Sequence, residues 1–179
     1  MSRISYRRGF GAGIAAFVVA YALSFGLVLT EIATSEGAFG LYTRPNGIDA
    51  LLSVVGGTFY AAHLGIYEVP VGLGRTLDLY ATVPAGVYTL IVIGALALAG
   101  FLTASGVSDD FVGALARGAI VGLGYASLLG LSALVLGVVS DSSPVVFIGQ
   151  SLRLFFGGLV YSVVFAGGGG VIVVFRTKT

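Results

Sequence analysis

Residues 118–140 read GAIVGLGYASLLGLSALVLGVVS, a stretch with no charged side chain and no regular alternation of apolar and polar residues. A helix rises about 1.5 Å per residue, so about 20 residues cross the roughly 30 Å hydrocarbon layer of a bilayer. This stretch is long enough to cross. Three others match it: Gly9 to Thr30, Leu79 to Ser108 and Leu154 to Phe175 also lack Asp, Glu, Lys, Arg and His. Backbone polar groups in lipid find no water, which leaves helices or a closed barrel, and a barrel needs short alternating strands. These windows do not alternate. The sequence therefore predicts an all-α, polytopic transmembrane helix bundle forming a single domain over 1–179. Its spans lie at about 9–32, 83–105, 116–139 and 152–175.

Composition points the same way. Hydrophobic residues make up 57% and charged residues 9% of the chain, against about 25% charged in soluble domains, and the mean hydropathy is +1.04. Lipid is the first partner this composition implies. Cysteine is absent, which excludes disulfides, thiolate metal sites and cysteine nucleophiles. A single His excludes a multi-histidine metal site, and a net charge of +1 is too small for a nucleic-acid footprint. No cofactor is implied: the Gly167 to Gly170 run lacks the Lys-Ser or Lys-Thr of a phosphate-cradling loop and is embedded in Val and Phe.

The first window follows Arg3, Arg7 and Arg8. Ala20-Tyr21-Ala22 fits a small-x-small cleavage pattern, and Tyr6-Arg7-Arg8-Gly9-Phe10 loosely resembles a twin-arginine export signal. The apolar run continues through Leu23, Phe25, Leu27, Val28 and Leu29, longer than a signal core, so a retained anchor is expected.

Glu31 to Thr82 is the most polar region, and within it the moderately apolar segment 48–69 carries Asp49, Ser53, Thr58, His63 and Glu68. If this segment does not cross, Arg3, Arg7, Arg8, Arg117, Arg176 and Lys178 share one side, six of the 9 basic residues. If it does cross, five spans result and the basic residues split almost evenly. The positive-inside rule then favours four spans with both termini cytoplasmic. The segment 48–69 becomes an interfacial or re-entrant helix at the outer leaflet, the alternative being five spans. Thr82 and Pro84 suit the start of the second span, and Ser108, Asp109 and Asp110 that of the third. Arg117 is expected to snorkel to the cytoplasmic interface, and Pro144 to break the chain before the fourth helix.

Gly is abundant, 29 residues. Gly9 and Gly13, Gly118 and Gly122, and Gly157 and Gly158 present small faces that let helix backbones approach, and are read as helix-packing positions.

Chemistry-bearing residues are few. His63, with Tyr60 and Glu68 nearby, is the one side chain whose ordinary pKa lies near neutrality. The five-residue step to Glu68 leaves the two only partly aligned on a helix, so His63 reads either as a proton-handling group or as an anchor at the outer interface. Each span carries a Tyr, namely Tyr21, Tyr88, Tyr125 and Tyr161, which either line a polar cavity or serve as belt and interhelix hydrogen-bonding residues.

Several segments taken in order resemble a known family. They are Phe59-Tyr60-Ala61-Ala62-His63, Val83-Pro84-Ala85-Gly86-Val87-Tyr88, Gly118-Ala119 leading to Gly124-Tyr125, and Gly158-Leu159-Val160-Tyr161-Ser162-Val163-Val164-Phe165 with its Gly tail. From Ile4 to Val174 the chain resembles a family of haloarchaeal integral membrane proteins of unknown function. It departs from the pattern at Ala61, where an Asn is usual, in lacking a nearby Trp, and at Ser162, where Pro is common. The resemblance implies a haloarchaeal plasma-membrane protein and supplies no reaction.

Two function classes follow. One is a non-enzymatic packed bundle that associates with copies of itself or with a membrane protein partner. The other is a small-solute transporter or channel-like oligomer; the absence of ionisable residues in the windows counts against a proton or ion relay and leaves carriage of an apolar or neutral solute open. No paired acids and no nucleophile with a base at usable spacing appear in the spans, so an enzyme is not expected.

Overall fold

The computed structural model describes residues 6–34, 55–60, 62–63, 85–105, 111–139 and 144–176. Its long helices are α1 (Tyr6–Thr34), α2 (Ala85–Ala104), α3 (Phe111–Val139) and α4 (Pro144–Arg176). Within them Tyr6–Thr30, Gly86–Ala104, Phe111–Val135 and Ser151–Phe175 are long and apolar enough to cross a membrane, 4 such stretches among the described residues. The outward faces explain why: Leu90, Val112, Phe156, Val160 and Phe175 are each more than half exposed. Helices apolar on the outside as well as the inside belong in lipid. This is a membrane protein built as a helical bundle.

Two helix boundaries differ from the sequence reading by more than three residues. α4 begins at Pro144, eight residues before the expected start, because proline is tolerated at a helix's first position, where its missing N–H would have been unpaired. α3 starts at Phe111 instead of 116. Thr82, Pro84, Ser108, Asp109 and Asp110, the expected caps, lie outside the described residues.

Contacts give the topology. Gly9 lies against Ile120 and Gly13 against Val121 and Tyr125, so α1 and α3 run parallel. Gly118 meets Gly167, Gly122 meets Ser162 and Gly130 meets Phe155, so α4 runs antiparallel to α3. The Arg8 guanidinium reaches the Leu102 carbonyl, placing the end of α2 beside the start of α1. The helices therefore alternate in direction, and the start of α1 and the end of α4 share one end of the bundle.

Glycine makes this packing possible where backbones touch. A Cβ at Gly13 would overlap the Val121 carbonyl, and one at Gly118 the Gly167 backbone. At Gly9, Gly122 and Gly158 the added atom meets the side chains of Ile120, Ser162 and Leu129. At each of these positions a larger side chain would press on the neighbouring helix. Gly157 is half-buried and opens onto the outer face of α4. Gly100, not singled out in the sequence, approaches the Ala166 carbonyl just as closely.

Arg117 does not snorkel outward. It is buried, and one of its terminal nitrogens donates to the Thr103 carbonyl at 3.2 Å, while Arg8 reaches Leu102 at 3.4 Å. The last carbonyls of a helix lack intrahelical donors and carry the negative end of its dipole, so a cation placed there is stabilised in position.

Candidate functional site

The described part of the 48–69 segment, residues 55–60 and 62–63, is helical and buried throughout. Val55, Thr58 and Phe59 are fully covered, and His63 is 3% exposed. Tyr60 donates from its hydroxyl to Ser132 Oγ at 3.1 Å, the Ser132 hydroxyl donates in turn to the Leu129 carbonyl at 2.9 Å, and Thr89 of α2 donates to the Ala62 carbonyl at 3.2 Å. From Tyr60 beside Ser132 to His63 beside Tyr125, the segment descends along α3 towards the middle of the Phe111–Val135 stretch. The described residues of this segment are packed inside the bundle beside α3, and the expectation of an outer-interface His63 is corrected. The physical reason is aromatic: Phe59 and His63 fill a space that α1, α3 and α4 leave between them.

That space is lined by rings. Phe59 stands edge-on to Phe17, with centroids 5.5 Å apart, and to Tyr21 at 5.1 Å. Phe17 also meets Tyr125 edge-on at 5.6 Å. The His63 ring sits 4.8 Å from Phe59, 5.5 Å from Tyr125 and 5.8 Å from Tyr161. Edge-to-face pairs of this kind each add about 0.5–1.5 kcal/mol beyond the area they bury.

Hydrogen bonding assigns the histidine's tautomer. Nδ1 lies 2.8 Å from the Phe59 carbonyl, which can only accept, so Nδ1 carries the proton. In the neutral ring Nε2 is then an acceptor, and the Tyr125 hydroxyl, 2.6 Å away, donates to it. Burial holds the imidazole below its ordinary value, outweighing the Phe59 carbonyl, which favours the protonated ring. Both ring nitrogens are occupied by groups of the chain itself.

The structure thus gathers His63, Tyr60, Tyr125 and Tyr161 around one segment and adds Tyr21, while Tyr88 is fully buried in the same core. Glu68 lies outside the described residues. Phe17 and Ser132 were not singled out from sequence. Phe17 stands in an unbroken apolar run, and Ser132 is one small polar residue among many. Among the described residues no group of three or more His, Cys, Asp or Glu could hold a metal ion.

One family model, described as a family of unknown function (DUF7978), matches residues 1–177. The chain belongs to this family. No curated protein and no solved structure matches it. For this family member the unknown-function part of the resemblance drawn from the residues therefore stands, and the reading of the site rests on its own geometry.

Proposed function

We propose that the protein is a non-enzymatic component of the plasma membrane, a packed four-helix bundle that associates with copies of itself or with a membrane protein partner. One observation carries this reading: the bundle's histidine and its nearest tyrosine are spent on each other and on the backbone, with Tyr125 fully buried and His63 nearly so. A transport path would need such groups to face water or solute. A closed pair instead locks the segment that carries His63 into one position. The shared end of the bundle holds Arg7, Arg8 and Arg117, which supports cytoplasmic termini under the positive-inside rule. A haloarchaeal membrane is the setting that the family resemblance implies.

The test is solute flux. Proteoliposomes containing the purified chain and matched empty vesicles are challenged with glycerol or urea gradients, and shrinkage is followed by stopped-flow light scattering. Equal rates are expected. Faster flux that Tyr125→Phe or His63→Gln alters would overturn the reading in favour of a solute path.

A further inference from the structure

The outer face of α4 carries a groove of about 500 Å³. Arg153 stands at one end, Val160 and Val164 form its flank, and Phe156, Tyr161 and Phe165 supply rings, with the missing side chain of Gly157 deepening it. Arg153 and Phe165 are about 18 Å apart along the helix at 1.5 Å per residue. That is close to the depth of one leaflet, half of the roughly 30 Å hydrocarbon layer. Arg153 lies at the start of the Ser151–Phe175 apolar stretch, at the end of the bundle away from the described start of α1. The groove therefore runs from headgroup level at that surface towards the middle of the membrane.

Its chemistry is that of an amphiphile's mirror image. Arg153 is exposed and has no ion-pair partner among the described residues, unlike Arg8 and Arg117, which are held on the carbonyls of α2. A guanidinium at the edge of hydrocarbon is stabilised by an anion, and its planar fork matches a phosphate. Below it the groove is apolar except for the Tyr161 hydroxyl, which has no hydrogen-bond partner among the described residues. The Tyr161 ring that forms the floor contacts His63 on its other side.

We propose that this groove binds one anionic lipid of the leaflet at the end of the bundle away from the start of α1 and the end of α4, its phosphate on Arg153 and one of its chains lying along α4 as far as Phe165. A zwitterionic lipid offers the same apolar chain but no net charge to match the arginine. A protein segment would have to bring its own anion to the same point.

Native mass spectrometry of the full chain in detergent tests this, with phosphatidylglycerol or phosphatidylcholine added at equal concentration. One cation near a membrane surface is worth about 1 kcal/mol, so phosphatidylglycerol adducts should exceed phosphatidylcholine adducts about fivefold. Arg153→Gln should abolish that preference and Arg153→Lys restore part of it. Val160→Trp, which fills the groove from an exposed position, should reduce adducts of both lipids. Arg7→Gln, at the opposite end, should change nothing. Equal retention of the two lipids by the unsubstituted chain overturns the proposal, as does a preference lost in Arg7→Gln but kept in Arg153→Gln. A dimer that excludes lipid and dissociates in Val160→Trp would show that a second copy covers this face.

Discussion

The seam between α3 and α4 and the pocket around His63 hold the bundle together by opposite means. Along the seam, side chains are removed: Gly118 meets Gly167 backbone to backbone, and Gly122 and Gly158 admit the side chains opposite them. Around His63, side chains are as large as the chain possesses, with Phe17, Phe59 and Tyr125 packed edge to face and the hydrogen bonds confined to a few atoms. Lipid tails are as apolar as Leu, so burying Leu between helices gains little in a membrane. Close backbone approach and the filling of space by rigid rings are the two ways left to gain dispersion energy, and this protein uses each in a separate place.

The seam should tolerate change least. Gly118→Leu places four carbons where the Gly167 backbone stands, and no rotamer clears backbone, so α3 and α4 must separate. The expected loss exceeds about 4–5 kcal/mol, the range of exceptional single changes, and should appear as aggregation in size-exclusion chromatography. Gly94→Leu is the matching control, since nothing lies within 4 Å of its added Cβ, and its melting temperature in detergent should be unchanged. If both variants behave alike, the seam is not held by close approach and the contrast with the His63 pocket fails.

The ring pocket should respond next. Phe59→Ala empties a fully buried position between Phe17, Tyr21 and His63, with an expected cost of about 3–5 kcal/mol. Thermal unfolding in detergent measures it. A loss below that of Gly122→Leu, for which overpacking predicts about 1–3 kcal/mol, would mean that the segment around Phe59 rides on the bundle without supporting it.

The smallest effect belongs to the hydrogen bond. Tyr125→Phe removes the donor to His63 Nε2 and keeps the ring, for about 1 kcal/mol. Its sharper readout is chemical. Because the chain has 1 His, diethylpyrocarbonate reports on His63 alone. The unsubstituted protein in intact membranes should resist modification, and Tyr125→Phe should react measurably faster by leaving Nε2 unpaired. Rapid modification of the unsubstituted protein would return His63 to the surface.

The architecture was legible because lipid imposes a one-dimensional rule. Four uncharged windows of sufficient length are visible residue by residue, and the same rule reads small residues at spacings such as Gly118 and Gly122 as contact positions. The site was legible only as a set of candidates. His63 and the tyrosines stood out as the few polar groups in an apolar chain, yet local sequence assigned His63 to water because Asp49 and Glu68 flank its segment.

Sequence alone thus determined that this is a helical membrane protein with four apolar spans and glycine-lined contacts, because hydropathy and side-chain size are properties of single residues. Tertiary structure decided where the polar groups go. Arg117 turned inward because α2 ends beside it with carbonyls to satisfy, and His63 sank into the bundle because the Tyr125 hydroxyl, 62 residues further along the chain, closes on the ring nitrogen that the Phe59 carbonyl leaves free. Such pairings depend on which helix ends and rings become neighbours after packing, and no local pattern encodes that.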